Sequence, residues 1–148
     1  MNGICIRPIC ENDLFDVAEI EEICFSSPWS CESLKMLCRE GGMGYVAYDT
    51  EAEKVLAYGG MLCVLDEGQI TNIATHPSAR RRGLGEAVVR ALLCGGEAAG
   101  LSFFSLEVRE SNVAAISLYE KLGFVRAGVR KGFYSNPSEN GIVMIKEK

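Results

Sequence analysis

Thr71-Asn72-Ile73-Ala74-Thr75-His76-Pro77-Ser78-Ala79-Arg80-Arg81-Arg82-Gly83-Leu84-Gly85-Glu86-Ala87 carries an apolar strand into a short loop, three arginines and a Gly-x-Gly pair that opens a helix. A helix start leaves about four backbone N–H groups unpaired and carries partial positive charge. Glycine lets the backbone turn tightly and come close to an anion. The arrangement suits a phosphate-bearing ligand. The plainer alternative is a bare turn shaped by Gly83 and Gly85, with the arginines in solvent.

The dinucleotide fingerprint has partial support here. Gly83 and Gly85 supply two of its three glycines, and Glu107 follows where a ribose-binding acid would sit. Three features oppose it. Val88 holds the third position, where close helix–strand packing needs Gly or Ala. Residues 75–82 separate the strand from the glycines, whereas the fingerprint turns at once. The unit also comes late in the chain, behind two helices and a meander. A Walker loop is excluded, because neither Lys-Ser nor Lys-Thr follows the glycine.

Upstream, residues 1–8 read as a strand. Asn12 or Asp13 then caps a helix carrying Leu14, Val17, Ile20 and Ile23 at steps of three. Ser26-Ser27-Pro28-Trp29 breaks that pattern. Ser30 caps a second helix with Leu34, Leu37 and Cys38 on one face, and Gly41-Gly42 stops it. Strand-like runs follow at residues 44–48, 55–65 and 69–75, joined by turns rich in acidic residues and glycine, an antiparallel meander. Downstream, residues 83–99 have Val88, Ala91 and Leu92 at helical spacing, with Gly100 as a stop. Residues 101–108 form an apolar strand. Ser111 or Asn112 caps a helix with Ile116, Leu118 and Leu122 that ends at Gly123, and residues 124–129 and 142–146 close the chain as strands. The order β-α-α-β-β-β-α-β-α-β-β predicts an α+β fold, a mixed and mostly antiparallel sheet flanked by helices, in one domain over residues 1–148.

With 148 residues, 48% hydrophobic and 24% charged, the chain can bury a core. A net charge of -5 argues against a general nucleic-acid binder and favours a basic partner. The opening residues lack a signal peptide's basic start and apolar core. No apolar run approaches the roughly 20 residues that span a bilayer. The expectation is a cytoplasmic protein with no membrane or nucleic-acid partner. Seven cysteines occur without a Cys-x-x-Cys pair, beside a single histidine, His76, so no metal site is expected. The thiols are expected to be reduced and mostly buried.

Arg80-x-x-Gly83-x-Gly85, directly after Ile73-Ala74-Thr75-His76-Pro77, resembles the coenzyme A-binding signature of the GNAT superfamily of N-acetyltransferases. Leu106-Glu107-Val108-Arg109-Glu110-Ser111-Asn112-Val113-Ala114-Ala115-Ile116-Ser117-Leu118-Tyr119-Glu120-Lys121-Leu122-Gly123-Phe124 resembles the corresponding run of the bacterial ribosomal-protein-alanine N-acetyltransferases (RimI type). The likeness extends to Pro28-Trp29-Ser30, Tyr134 and Met144. It implies a GNAT fold in which two central parallel strands splay apart and acetyl-CoA enters the gap as co-substrate. Carried onto this chain, the backbone of Ile73, Ala74 and Thr75 would pair with the pantetheine arm as an added strand. Arg81, Arg82, Gly83, Leu84, Gly85 and Glu86 would wrap the pyrophosphate, and Asn112 would contact the cofactor. Two positions depart from the common pattern: Arg80, where glutamine is usual, and His76, where many relatives have aspartate.

Acetyl transfer needs a neutral amine, a donor for the oxyanion and a proton for the departing thiolate. An α-amine with a pKa of about 7.7–8.0 is mostly protonated at neutral pH. The family match makes Glu107 the general base, directly or through water, with burial expected to tune it. Tyr119 would be the general acid, since a phenol near pKa 10 can protonate a thiolate whose acid is near 8.5. An N–H of the segment from Ile73 to Thr75 could serve the oxyanion. The implied acceptor is a protein N-terminus, the terminal alanine of a small-subunit ribosomal protein, whose basic character suits an acidic chain. Pro28-Trp29-Ser30 and Tyr134 would lie toward that acceptor. So would Ser138-Glu139-Asn140-Gly141-Ile142, which replaces an acidic pair and alanine common among relatives. The alternatives are acetylation of a small amine or lysine side chain, and a non-catalytic acyl-CoA-binding module.

Overall fold

Strand and helix patterns resolve into eleven elements in the expected order in the computed structural model, which describes residues 3–148. They are β1 (Ile4–Pro8), α1 (Leu14–Cys24), α2 (Cys31–Leu34), β2 (Gly42–Asp49), β3 (Lys54–Val64), β4 (Glu67–Thr75), α3 (Leu84–Ala98), β5 (Phe103–Arg109), α4 (Val113–Lys121), β6 (Val125–Tyr134) and β7 (Glu139–Glu147). Met1 and Asn2, which begin the expected opening strand, lie outside the described residues. One seven-stranded sheet runs in the order β1-β2-β3-β4-β5-β7-β6. All its pairs are antiparallel except β4–β5.

Helices cover both faces of the sheet. Side chains alternate along a strand, so Gly59 and Gly60 of β3 look opposite ways. A Cβ on Gly59 would meet Val88 and Leu92 of α3, and one on Gly60 would meet Leu37, just after α2. On the first face, α3 and α4 bury Val89, Leu92, Ile116 and Tyr119 against Phe104, Leu106 and Met144. On the other, α1 and α2 bury Leu14, Val17, Ile20 and Leu34 against Val46 and Tyr58.

The parallel pair is short. β4 and β5 are in register only at Glu67↔Phe103, Gly68↔Phe104 and Gln69↔Ser105. Beyond these, β4 stays with β3 to Thr75, and β5 stays with β7 to Arg109. The strands part where β4 bulges: Gly60 pairs with Asn72 and Met61 with Ile70, leaving Thr71 as an extra residue. A bulge bends its strand and raises the local twist, which turns β4 away from its neighbour.

Several local expectations are corrected. Steps of three lag the 3.6-residue helical period, so the buried line of α1 drifts. It reaches Glu21, which is fully buried, and leaves Ile23 half exposed. Asp13 does not cap α1 with its side chain. Its carboxylate instead accepts from the Cys10 N–H (2.9 Å) and from Arg7 (2.8 and 3.0 Å). Ser30 does cap α2, accepting from the Ser33 N–H at 3.1 Å. The helix is a single turn that tightens to 3₁₀ over Lys35–Cys38. The closing strands run longer than expected. The cysteines are free but not mostly buried: Cys5, Cys10, Cys31 and Cys94 are exposed and the other three are intermediate.

Asp13 anchors the start of α1 to β1. Burial pushes its pKa up, but the bonds from Arg7 and the Cys10 N–H outweigh burial and hold it below the ordinary aspartate value. A depressed carboxylate stabilises the fold above its unfolded pKa, and that stabilisation is lost as pH falls through the folded value. Asp13→Asn should therefore cost about 2 kcal/mol at neutral pH, below the usual range for a buried pair because Arg7 is partly solvated. Urea unfolding at several pH values should show this difference intact above about pH 4 and shrinking below it.

Candidate functional site

The C-terminal half of β4 reaches the splay with one backbone edge still bound to β3, through Gly59↔Ile73, Tyr58↔Ala74 and Ala57↔Thr75. The other edge of Ile73, Ala74 and Thr75 faces away from β3 into the gap, the geometry of strand addition. After Thr75, His76 accepts from the Ser78 N–H at 3.1 Å and caps a 3₁₀ turn over Pro77–Ala79. Buried Ala79 roots the loop, and Arg80, Arg81 and Arg82 lie exposed.

Arg81 and Gly83 both take left-handed conformations, with φ of +66° and +75°. Such residues turn successive N–H groups toward one concavity that suits an anion. Gly83 is also the N-cap of α3, whose first intrahelical bond here is Ala87 N–H to Gly83 C=O at 3.1 Å. The N–H groups of Leu84, Gly85 and Glu86 therefore lie in the helix's unpaired first turn. They border a cleft of about 380 Å³ that also meets Thr75 and Arg81, with Ala114, Ala115 and Leu118 of α4 opposite. A Cβ on Gly85 would touch only Thr75 Oγ1, at an ordinary 3.5 Å. The fold itself thus has room for alanine there, and the side chain would project where a ligand approaches the backbone. This donor-rich cleft fits a pyrophosphate.

Other expected contacts fall differently. The Glu86 carboxylate bonds Lys121 and Arg90, each at 2.9 Å, and so ties α3 to α4. Lys121 first and Arg90 second hold it below the usual glutamate value. Its carboxylate is thereby neutralised beside the anion-binding turn. Asn112 Oδ1 is occupied in capping α4, accepting from the Ala115 N–H at 3.2 Å. Neither Asn112 nor Arg82 lines the cleft.

On β5, Leu106 and Val108 point into the core beneath α3 and α4, so Glu107 points to the opposite face. There α1 and α2 cover β2 to β4 but not β5. The burial expected for Glu107 is therefore not found: its side chain is 34% exposed, with Arg130 Nη1 at 3.4 Å. Tyr119 is buried on α4, edge-on to Phe124 at 5.8 Å between centroids. Burial first, and proximity to Tyr134 second, push its pKa up to about 12.

Tyr134 joins the pair spatially. Burial raises its pKa, and the nearby Glu107 charge raises it further. The tyrosine is held by a clamp that sequence reasoning missed. Arg109 lies over its ring at 4.6 Å and bonds Glu139 (3.2 Å), the Pro137 C=O (3.0 Å) and the Ser135 C=O (3.0 Å). Glu139 in turn accepts from the Ser111 N–H. One signal was present: Arg109 stands two residues after Glu107 on a strand, hence on the same face. Glu139 lay in the segment expected toward the acceptor, but its bond to Arg109 had no signal, and neither had Arg130, because the β6–β7 hairpin brings both in from far along the chain. Among the described residues, no three His, Cys, Asp or Glu side chains gather as a metal site would require, and no helix is long and apolar enough to cross a membrane.

Residues 14–124 match the acetyltransferase (GNAT) family model. The chain is 37% identical over 135 residues to the [ribosomal protein bS18]-alanine N-acetyltransferase of Escherichia coli strain K12, covering 89% of each. It superposes on a crystal structure of the ribosomal-protein-S18-alanine N-acetyltransferase from Escherichia coli with a TM-score of 0.88. The identity there is 33%, over 97% of this chain and 93% of that one. The fold is also that of Arabidopsis thaliana NAA60, solved in complex with acetyl-CoA (TM-score 0.87, 18% identity, 97% and 98% covered).

Gly85→Ala isolates the cleft. Thermal unfolding should be unchanged or slightly raised, because alanine favours a helix over glycine. Coenzyme A affinity, measured by titration calorimetry, should fall about tenfold as the methyl obstructs the backbone approach. Undiminished affinity would place the phosphates elsewhere.

Proposed function

The chain belongs to the acetyltransferase (GNAT) family, and from that premise we propose that it acetylates a protein N-terminus, the terminal alanine of a small-subunit ribosomal protein. The acyl donor is acetyl-CoA, as in the family. What carries the acceptor assignment is the 37% identity, over 89% of both chains, to an enzyme named for alanine of ribosomal protein bS18. The charge of -5 suits a basic ribosomal substrate. The acceptor is a soluble protein of the cytosol, and the enzyme works there.

Glu107 and Tyr119 divide the proton work. Glu107 is reached by solvent on the face away from α3 and α4, so it can take the amine proton directly or through one water. The amine nitrogen bonds to the acetyl carbon as the carbon–sulfur bond breaks. A backbone N–H among Ile73, Ala74 and Thr75 donates to the oxyanion. Tyr119 gives its proton to the departing thiolate and regains one from solvent. With its pKa pushed up to about 12, Tyr119 is fully protonated throughout the working range. A thiolate whose acid lies near 8.5 is a weaker base than that phenolate, so the proton is given only as charge builds on sulfur. The backbone of Arg81 and of residues 83–86 holds the coenzyme.

Thiol release with a free alanine-terminal ribosomal peptide, set against its amino-blocked twin, tests the acceptor. Turnover with only the free peptide is expected. Turnover of both peptides at an internal lysine would overturn the α-amine assignment. The pH profile separates the same two cases. For an α-amine, kcat/KM should rise with pH and level off near 8, whereas a lysine acceptor would keep it rising toward about 10.4. No falling limb from Tyr119 should appear below pH 10, since its raised pKa keeps the proton in place. Glu107→Gln and Tyr119→Phe should each lower kcat roughly 10²-fold with coenzyme A affinity retained. Full turnover in both would dismiss the acid–base pair.

A further inference from the structure

Glu21 has no part in the chemistry above, yet it is fully buried. Its two oxygens have three donors. Oε1 accepts from the backbone N–H of Trp29 at 2.8 Å. Oε2 accepts from Asn72 Nδ2 at 2.9 Å and from the Tyr58 hydroxyl. Burial, and then the adjacent Glu21 charge, raise the Tyr58 pKa, so this phenol stays a donor. As a source of stability the arrangement is a poor choice, because a well-packed apolar side chain often serves a buried position as well or better. What a carboxylate offers instead is a fixed link from the paired strands β3 and β4 to the backbone N–H of Trp29.

Those groups belong to three segments that meet at the splay. Tyr58 is on β3. Asn72 follows the β4 bulge and immediately precedes Ile73, Ala74 and Thr75. Trp29 belongs to residues 25–30, which link α1 to α2 and are exposed except for half-buried Trp29. A second stitch lies nearby: Cys24 Sγ at the end of α1 donates to the Thr75 C=O at 3.4 Å and accepts from Arg80 at 3.7 Å. The end of α1 is therefore tied to β4 at Asn72 and at Thr75, and the loop joins this tie through the Trp29 N–H. The loop stands on the sheet face to which Glu107 points.

We propose that Glu21 is a positioning residue for the acceptor, pinning the loop of residues 25–30 through the Trp29 N–H so that it forms a fixed wall beside the splayed strands. This rests on the reading of the protein as a peptide acetyltransferase. The Trp29 N–H bond acts alongside the packing of the Trp29 side chain against the core and the Ser30 cap of α2, and it fixes the loop's backbone. A neutral acceptor can replace the carboxylate. Asn72 Oδ1 is buried without a partner among the described residues. On Glu21→Gln, the Asn72 amide can rotate to accept from the new amide, leaving the glutamine oxygen for the Trp29 N–H.

Steady-state kinetics with the free alanine-terminal peptide, alongside direct acetyl-CoA titration, make the test. Glu21→Leu fills the space but offers no acceptor. It should raise the peptide KM about tenfold or more, with acetyl-CoA affinity and kcat within about threefold. Glu21→Gln should restore the peptide KM to within about threefold of the parent. A folded Glu21→Leu protein with an unchanged peptide KM overturns the proposal, as does an equal loss of acetyl-CoA affinity. Should Glu21→Leu not fold, amide hydrogen exchange in the parent protein decides. The Trp29 amide should exchange at least ~100-fold more slowly than those of Ser26 and Ser27, and exchange at their rate overturns the pin. Exchange needs no peptide substrate, so a protected Trp29 in a protein that leaves the peptide unacetylated would sink the acceptor reading alone.

Discussion

Beyond Gln69 and Ser105, β4 and β5 stop bonding to each other, and most of the molecule's architecture answers that break. Backbone N–H and C=O groups withdrawn from a ladder must find partners in solvent, side chains or a ligand. The Thr71 bulge bends β4 aside while β3 continues to hold its other edge. β5 keeps its full pairing with β7. The sheet thus behaves as two firm halves joined at the closed end of a V, and the unpaired strand edges inside the V are rigid because their far edges are paired. A ligand that adds as a strand meets backbone groups already in place, which lowers the ordering cost of binding.

Helices span the opening that the sheet leaves. On one face α3 starts where β4 ends, so its positive N-terminus lies at the mouth of the V, and α4 packs beside it in the same core cluster. Glu86 bridges the two helices through Arg90 and Lys121. On the other face α1 reaches β4 through Glu21 and Cys24. The side that carries α3 and α4 therefore presents mainly backbone donors on rigid elements at the opening. The opposite side depends on side-chain bonds that hold loops.

Two ion pairs stand at the β5–β7–β6 end of the sheet. Arg130 accompanies Glu107, and Arg109 accompanies Glu139 while stacking on Tyr134. The β6–β7 hairpin carries Arg130, Tyr134 and Glu139, so its position determines what Glu107 faces. Tyr119 contrasts with Glu107. The phenol is largely buried, which favours its neutral form, and the carboxylate is reached by water.

Local patterning determined much of this protein. Periodicity and turn residues placed every element in order, because apolar alternation and capping are written in neighbouring residues. The strand–arginine–Gly-x-Gly succession marked the donor-rich helix start for the same reason: unpaired backbone N–H groups there are a local property. The run from Leu106 to Phe124 placed Glu107 and Tyr119 on consecutive elements. What the sequence left open depends on distance along the chain. Glu21 lies within a helix whose partners, Tyr58 and Asn72, are 37 and 51 residues away. Arg109 meets Glu139 across 30 residues, and Arg130 meets Glu107 across 23. The openness of Glu107 was equally out of reach, since it depends on which strands α1 and α2 cover. Secondary structure follows from short-range sterics and hydrogen bonding. The pairing and solvation of a side chain are decided only when the sheet brings distant segments together.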